Sequence, residues 1–372
     1  MGISVAVLVL AGCASPAPQP TATTLAPSSP TSTAAVDPLA GLTVEQRVGQ
    51  VFMVGSTSTG AEAATLAAVR DRFVGGIFLS GRSQAGTAAT AAVVAQFTAE
   101  SPDHPLLVAT DQEGGQVQVL QGPGFSEMPS AVQQGAMDAA SLQTSATVWA
   151  RELASAGVTM NLAPVVDLIH DSSAAASNPP IGGYDREFGF DAGGIVAHAD
   201  AFRAGMTAGG VTSVLKHFPG LGAVSANTDD TAGVTDTATN AQSDSVGIYR
   251  SEIASGADTI MVSSAIYTQL DPAAPALFSP TIVTGLLRDS LGFDGVVITD
   301  DVSSATQVAA WSPADRAVLA IGAGCDIVLV SRTPTIAAEM IDAVVAKAKN
   351  DPAFAKLVDA AATRVLASKG DD

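Results

Sequence analysis

From residue 42 onward, short apolar runs rich in β-branched residues alternate with alanine-rich segments. Runs that are apolar throughout indicate strands covered on both faces, as in parallel sheets. The segments between them have helical composition, and several end at a glycine, a usual helix stop. The candidate strands are 48–54, 74–79, 106–110, 158–166, 211–216, 259–263, 295–299 and 326–330. The candidate helices between them include 61–72, 141–156, 192–208, 279–291, 313–323 and 335–349.

Repeated strand–helix units of this kind favour one fold class. Eight units in roughly 330 residues predict a single α/β domain, a (β/α)8 TIM barrel over residues 40–372. A doubly wound sheet would also alternate strands and helices. However, no G-x-G-x-x-G motif opens a helix after the first strand, where residues 55–60 read GSTSTG. We therefore expect the barrel.

Polar residues follow the apolar runs directly, at the points where the predicted strands end. In a TIM barrel these strand ends form one rim, and the active site is built there. The same residues could instead cap helices or form ion pairs within loops, and Asp167 in particular could cap the loop that follows it. The residues at the predicted rim are Asp111, Asp167, Lys216, His217, Ser264, Asp300 and Asp301.

The first thirteen residues, MGISVAVLVLAGC, form an apolar run that ends in small residues before Cys13. A run this short cannot span a bilayer, which needs about 20 apolar residues, but it suits the core of a signal peptide. The ending resembles a bacterial lipobox, which predicts lipidation of Cys13. Residues 14–39 are rich in Pro, Ser and Thr and predict a disordered tether. We expect an extracytoplasmic protein that touches the bacterial cell membrane through its lipid anchor only.

The charge of the chain limits its partners. Acidic residues outnumber basic ones 36 to 17, a formal net charge of −19. Such a field repels phosphate backbones and anionic lipid surfaces, so we expect no nucleic-acid partner. No H-E-x-x-H motif or cluster of Cys and His suggests a metal, no cofactor is indicated, and no G-x-S-x-G motif suggests a serine hydrolase. The composition does not indicate an oligomeric state.

Four segments resemble glycoside hydrolase family 3, and specifically its single-domain β-N-acetylglucosaminidases. They read ATDQEGGQVQ (109–118), MNLAPVVDL (160–168), LKHFPGLG (215–222) and VITDDVSS (297–304). Residues 42–55 and 320–330 resemble the first and last barrel strands of that family. The resemblance covers nearly everything from residue 42 onward, with six motifs in the right order, each at or beside a predicted strand.

The resemblance implies a retaining glycosidase in which Asp300 is the nucleophile and forms a covalent glycosyl-enzyme. Asp301 is the rival, but successive strand residues face opposite ways, and a helix cap suits Asp301 better. By the same resemblance, four residues should hold sugar hydroxyls through charge-assisted hydrogen bonds. His217 could alternatively be a buried structural histidine. The four expected substrate-binding residues are Asp111, Arg186, Lys216 and His217.

The loop at 221–236 departs from the family pattern, in which a histidine acid/base is oriented by an aspartate two residues earlier. Here Asn227 stands in place of the aspartate and Asp229 in place of the histidine. One interpretation makes Asp229 the general acid, its pKa raised by a closed site and by the charge of the nucleophile. In a second interpretation Asp230 or His170 takes the role. In a third, the acid is lost. We favour Asp229, and an anionic base there favours hydrolysis over phosphorolysis.

The sequence thus predicts an exo-β-N-acetylglucosaminidase that acts on a carbohydrate substrate, such as cell-wall-type glycan fragments. The preference for N-acetyl sugars rests on the resemblance alone. Two alternatives remain open. One is a β-glucosidase or β-xylosidase of the same family, and the other is a surface glycan-binding protein that has lost its general acid.

Overall fold

The computed structural model describes residues 1–15, 17 and 37–370. In chain order the strands are β1 (Phe52–Thr57), β2 (Gly76–Ser80), β3 (Leu107–Thr110), β4 (Gln112–Gly114), β5 (Val117–Gln118), β6 (Met160–Asn161), β7 (Thr212–Ser213), β8 (Leu215–Phe218), β9 (Thr235–Asp236), β10 (Thr259–Val262), β11 (Ile266–Tyr267), β12 (Asp271–Pro275), β13 (Val296–Thr299) and β14 (Val328–Val330).

The α-helices are α1 (Val44–Gln50), α2 (Ala63–Arg72), α3 (Gly86–Thr98), α4 (Ala131–Gly135), α5 (Ala139–Ser155), α6 (Ser172–Ala175), α7 (Ala192–Ala208), α8 (Asp244–Ala254), α9 (Pro313–Ala323), α10 (Ala337–Asn350) and α11 (Pro352–Ser368). A π-helix covers Thr281–Ser290. Short 3-10 turns lie at Gly182–Tyr184, Ala276–Phe278, Thr306–Val308 and Pro334–Ile336.

Within residues 37–370 the strands form a closed parallel ring. One sheet has the order β14-β1-β2-β3-β6-β7 and a second has the order β13-β10-β8. Single parallel bridges join them, Val165 with Lys216 on one side and Ile298 with Ile327 on the other. Because β7 and β8 follow each other in one interrupted strand, the ring has eight positions among the described residues. The predicted (β/α)8 barrel is confirmed.

The first strand begins later in the chain than the sequence predicts. Residues 48–50 belong to α1, and β1 begins only at Phe52. The helix has a reason to form there, because Thr43 and Gln46 make a reciprocal capping box. By contrast, α7 and α9 have the predicted bounds. Ser279 caps the helix that follows it, since its Oγ accepts from the backbone N of Ile282 at 3.2 Å.

Side chains alternate between the barrel interior and the helices along each strand. Met53, Phe78 and Met261 belong to a small cluster inside the barrel, whereas their neighbours in β1, β2 and β10 belong to the large core beneath the helices. This alternation follows from the period of two in a strand. The interior is therefore filled with apolar side chains and forms the floor on which the polar rim lies.

The chain divides into two units, one before Pro38 and one from Pro38 onward. The described residues of the first unit contain no helix or strand, and Cys13 is exposed with a free thiol. The predicted tether, 14–39, falls mostly on residues 16 and 18–36, which lie outside the described residues. Among the described residues, no helix is long and apolar enough to cross a membrane.

Candidate active site

A cavity of about 760 Å³ opens at the carboxyl ends of the barrel strands. Its floor is the top of the barrel interior, formed by Phe78, Leu162, Met261 and Leu329. Polar and charged side chains make up its walls, because the loops after the strands carry them to the rim. The charged residues that line it are Arg82, Asp111, Glu113, Arg186, Lys216, Asp229, Asp230, Asp300, Asp301 and Arg332.

One wall of the cavity is a cluster of paired charges. Lys216, with only 3% of its side chain exposed, donates from Nζ to Asp111 Oδ1 at 2.7 Å and to Glu113 Oε1 at 2.6 Å. Arg186 holds the same glutamate through two parallel bonds, Nε to Oε2 and Nη2 to Oε1, both 2.8 Å. This bidentate geometry gives both strength and direction. We call Asp111, Glu113, Arg186 and Lys216 the binding wall.

The pKa values in the binding wall are shifted away from neutrality. Burial alone would raise the pKa of Glu113, but the charges of Arg186 and Lys216 outweigh it and lower the pKa to about 2. Burial would lower the pKa of Lys216, yet Asp111 and Glu113 raise it above its usual value. Glu113 and Lys216 therefore stay ionised near neutral pH, and the contact between them is kept there.

His217 is held in one orientation by Asp167. Its Nδ1 donates to Asp167 Oδ2 at 2.7 Å, and the backbone N–H groups of His217 and Leu221 both donate to Oδ1 of the same carboxylate. Asp167 is buried and is not among the residues that line the cavity. Since Nδ1 is occupied, the other ring nitrogen, Nε2, is available to the cavity. The peptide bond between Lys216 and His217 is cis.

The two aspartates that follow β13 differ in their hydrogen bonds. Asp300 Oδ1 accepts from the backbone N of Asp301 at 2.8 Å, and Oδ2 has no hydrogen-bond partner among the described residues. Asp301 accepts from the backbone N and the hydroxyl of both Ser303 and Ser304, and from the backbone N of Ser331. The Asp301 carboxylate thus stabilises the turn and the next strand end, whereas the Asp300 carboxylate has an oxygen free for chemistry.

Burial raises the pKa of Asp300, while His217 and Lys216 act in the opposite direction and favour its carboxylate form. Asp300 and Asp229 line the same cavity, and the charge of Asp300 acts on Asp229. The cavity thus brings together two carboxyl groups whose surroundings differ.

Asp229 lies at the mouth of the cavity with 37% of its side chain exposed. Partial burial raises its pKa to about 6, and the negative charge of Asp300 contributes in the same direction. Arg332, whose Nη2 is 3.6 Å from Asp229 Oδ2, acts against both. A carboxyl group with this pKa can exchange a proton with a substrate near neutral pH. We call Asp229 and Arg332 the acid wall.

The loop that carries Asp229 is fastened at several points. The Asn227 Oδ1 accepts from the backbone N of Asp229 at 3.0 Å, so the asparagine shapes the turn and does not contact the carboxyl group of Asp229. The backbone N of Thr306 donates to the carbonyl of Asp229 at 3.0 Å, and the Gln307 side chain makes two bonds with the backbone of Val234. The loop is thereby tied to the segment that follows Asp300 and Asp301.

The structure brings all the expected catalytic and substrate-binding residues to one cavity. Of the other possible acids, Asp230 lines the cavity but is exposed, and His170 is exposed and not among the lining residues. Ser264 is buried, its hydroxyl has no hydrogen-bond partner, and it is not among the residues that line the cavity. Within the described residues no group of three or more His, Cys, Asp or Glu side chains could hold a metal ion.

Sequence reasoning missed three charged residues of the cavity lining, Arg82, Glu113 and Arg332. Glu113 lies in the DQEGG segment and links Lys216 to Arg186, and its place two residues after Asp111, just past a predicted strand end, was the available signal. Arg332 comes two residues after β14, where an exposed arginine looks like ordinary surface. The role of Asp167 as the partner of His217 was left open and required the fold, since the two residues are fifty positions apart.

Comparisons with known proteins give the family of the chain. The family model described as the glycosyl hydrolase family 3 N terminal domain matches residues 43–368. A beta-hexosaminidase of Stenotrophomonas maltophilia (strain R551-3) is 34% identical over 293 residues, which cover 77% of this chain and 84% of that protein. The crystal structure of a beta-N-acetylhexosaminidase from Beutenbergia cavernae DSM 12333 is similar with a TM-score of 0.88 and 60% identity, covering 89% of this chain and all of that one. A family 3 beta-N-acetylglucosaminidase from Paenibacillus sp. str. FPU-7 has a TM-score of 0.81 and 31% identity, covering 88% of this chain and 62% of that one.

Proposed function

Because the chain belongs to glycosyl hydrolase family 3, we propose that it is a retaining exo-β-N-acetylglucosaminidase in which Asp300 is the nucleophile and Asp229 the general acid and base. One observation carries the assignment of roles. Asp300 and Asp229 line one cavity, and only Asp229 combines partial exposure with a pKa raised to about 6. Two carboxyl groups whose environments differ in this way divide acid and nucleophile between them.

In the first half of the reaction, Asp300 Oδ2 attacks the anomeric carbon and forms an ester with it. The bond from that carbon to the leaving oxygen breaks, and this oxygen takes the proton of Asp229. In the second half, the Asp229 carboxylate takes a proton from water, whose oxygen attacks the anomeric carbon. The ester bond breaks and Asp300 returns as a carboxylate. Two inversions leave the product with the configuration of the substrate.

The binding wall suits the hydroxyl groups of a single terminal sugar. Asp111 offers carboxylate oxygens, while Lys216 and Arg186 offer donors, and charge-assisted bonds of this kind hold vicinal hydroxyls firmly. The apolar floor closes the cavity below, which supports release of sugars from a chain end. The preference for N-acetyl sugars is supported by the similarity to the beta-hexosaminidase from Stenotrophomonas and the beta-N-acetylhexosaminidase from Beutenbergia.

We also propose that Cys13 carries lipid and that the protein acts outside the cytoplasm on cell-wall-type glycan fragments. The proposal is supported by the apolar run that precedes an exposed, unpaired Cys13. A Cys13→Ser variant expressed in a bacterial host should lose incorporated radiolabelled fatty acid and leave the membrane fraction. Continued labelling of the variant would contradict lipidation at this residue.

The activity is tested with an unactivated GlcNAc-β-1,4-linked disaccharide and residues 40–372. The wild type should release GlcNAc, initially as the β anomer, in phosphate buffer as in buffer without phosphate. Asp300→Asn should lower kcat/KM by on the order of 10⁴-fold, since the covalent step is lost. Failure of the wild type on this substrate, with turnover of an aryl β-glucoside or β-xyloside instead, would mean a different sugar. Binding without any turnover would mean a glycan-binding protein.

A further inference from the structure

An arginine lies beside the proposed general acid, in a part of the chain that follows the last barrel strand. The Nη2 of Arg332 is 3.6 Å from Oδ2 of Asp229. The arginine side chain is 67% exposed, so its charge contributes little to folding. Stability of the fold therefore does not explain why Arg332 lies at the cavity mouth.

The backbone of Arg332 is fixed relative to the nucleophile. The N–H groups of Arg332 and Thr333 donate to Ser303 Oγ at 3.1 and 3.0 Å. The same hydroxyl donates to Asp301 Oδ1 at 2.7 Å, and the backbone N–H of Asp301 donates to Asp300 Oδ1 at 2.8 Å. The chain of hydrogen bonds places the Arg332 main chain at a set distance from the reacting centre, while its side chain reaches across the mouth to Asp229.

The main charges that act on Asp229 oppose one another. Asp300, Asp301 and Asp230 disfavour the carboxylate form of Asp229, and Arg332 favours it. The protonation of Asp229 depends on the balance between these charges.

We propose that Arg332 is a positioning residue that holds the Asp229 carboxylate and stabilises it as the base of the second half-reaction. The inference rests on the proposed function, because it requires Asp229 to exchange the proton. Before the first step the charge of Asp300 opposes Arg332, and Asp229 keeps its proton. Once Asp300 is an ester its charge is gone, and Arg332 then acts on Asp229 with less opposition. After Asp229 has given its proton to the leaving oxygen, it stays a carboxylate and can deprotonate water.

The test compares pH profiles of the wild type with Arg332→Gln, Arg332→Lys and Arg82→Gln. Arg82 is another exposed arginine of the cavity lining, and it contacts the carbonyl of Gln116 and not Asp229. It therefore controls for the loss of one positive charge at the mouth. The unactivated disaccharide reports kcat/KM for the first half-reaction, and a 2,4-dinitrophenyl β-GlcNAc, whose leaving group needs no acid, reports kcat for the second.

Arg332→Gln should shift the alkaline limb of kcat/KM and the acid limb of kcat to higher pH, each by about half a pH unit. This is the size expected for the loss of one partly exposed positive charge beside Asp229. On the acid limb kcat should fall about threefold at a given pH. Arg332→Lys should restore most of the shift, and Arg82→Gln should move neither limb. A structural defect would scale the rates without moving the limbs.

Three results would overturn the inference, and they differ from one another. If the wild type cleaves neither substrate, the proposed function fails and the role of Arg332 with it. If Asp229→Asn keeps the alkaline limb of the wild type, Asp229 is not the acid. If Asp229→Asn removes that limb but Arg332→Gln leaves both limbs in place, the proposed function stands and Arg332 has no part in it.

Discussion

The two walls of the cavity use charge in different ways. In the binding wall, Lys216 is 3% and Glu113 4% exposed at the side chain, and every charge has a partner at hydrogen-bond distance. In the acid wall, Asp229 is 37% and Arg332 67% exposed, and the gap between them is 3.6 Å. The first wall is closely paired and buried. The second is loosely paired and reached by water.

The difference has a chemical meaning. In the binding wall the charges of Arg186 and Lys216 lower the pKa of Glu113 to about 2, so Glu113 stays ionised near neutral pH and the wall keeps its geometry. The acid wall leaves the pKa of Asp229 at about 6, where the group can both give and take a proton. A retaining glycosidase needs one rigid surface and one group that titrates.

Among the substitutions, Glu113→Gln should change the contrast between the two walls most, because it removes the central charge of the binding wall. The change leaves Lys216 and Arg186 buried with too little negative charge, and removing one member of a buried ion pair costs about 3–5 kcal/mol. We expect the free energy of unfolding to fall by this amount in urea titrations, and kcat/KM to fall with it as the wall loses its shape.

A matched control exists on the outside of the barrel. Glu252 is a buried carboxylate paired with Arg203 at 2.8 Å, and burial raises its pKa to about 7. Glu252→Gln removes a group that is already partly neutral near pH 7, and it lies away from the cavity. We expect kcat/KM to stay within about twofold and unfolding to change by about 1 kcal/mol at most. An equal loss of stability in both variants would contradict the view that Glu113 stabilises the fold by holding Lys216 and Arg186 together.

Asp167→Asn tests the support of His217, the residue that follows Lys216 of the binding wall. The amide cannot accept from His217 Nδ1 and from the backbone N–H of both His217 and Leu221 as the carboxylate does. Unsatisfied buried donors cost about 1–3 kcal/mol. We expect a loss of this size in the free energy of unfolding, and a fall in kcat/KM on the order of tenfold as the imidazole loses its fixed orientation. Unchanged kinetics would mean that His217 does not contact the sugar.

The pH dependence of the wild type tests the contrast between the two walls without any substitution. The first half-reaction needs Asp229 protonated, and its pKa is about 6. Protonated acid is fully present well below that pH and is lost above it, so kcat/KM for the disaccharide should fall about tenfold per pH unit on the alkaline side. Glu113 stays ionised across the same range, and the KM of the wild type should hardly move. A flat profile between pH 6 and pH 8 would assign the acid to another group.

Much of the barrel was predictable, because continuous apolar runs and helix caps are local signals. The bounds of α7 and α9 follow from composition and capping within a few residues. The error at 48–50 has a local cause as well, since the apolar Val48 continued the pattern of a strand while the capping box of Thr43 made a helix. Two local preferences competed, and the side-chain hydrogen bonds of the cap decided the outcome.

The site was predictable only where it follows strand ends. The fold places Asp111, Lys216, His217 and Asp300 on one rim, so a barrel prediction brings them together. The contact between Arg332 and Asp229 depends on a side chain that crosses from one loop to another, a hundred residues apart in the chain. No local pattern of the sequence encodes such a contact, because only the folded chain brings the two loops together.

The central claim, that Asp229 is both acid and base beside the nucleophile Asp300, is tested most directly by Asp229→Ala with added azide. The small anion can enter the space left by the carboxyl group and attack the glycosyl-enzyme without a base. With 2,4-dinitrophenyl β-GlcNAc we expect azide to accelerate turnover of the variant but not of the wild type, and to yield the β-glycosyl azide. If azide neither accelerates the variant nor appears in the product, or if the product is the α-azide, the account of the two aspartates is wrong.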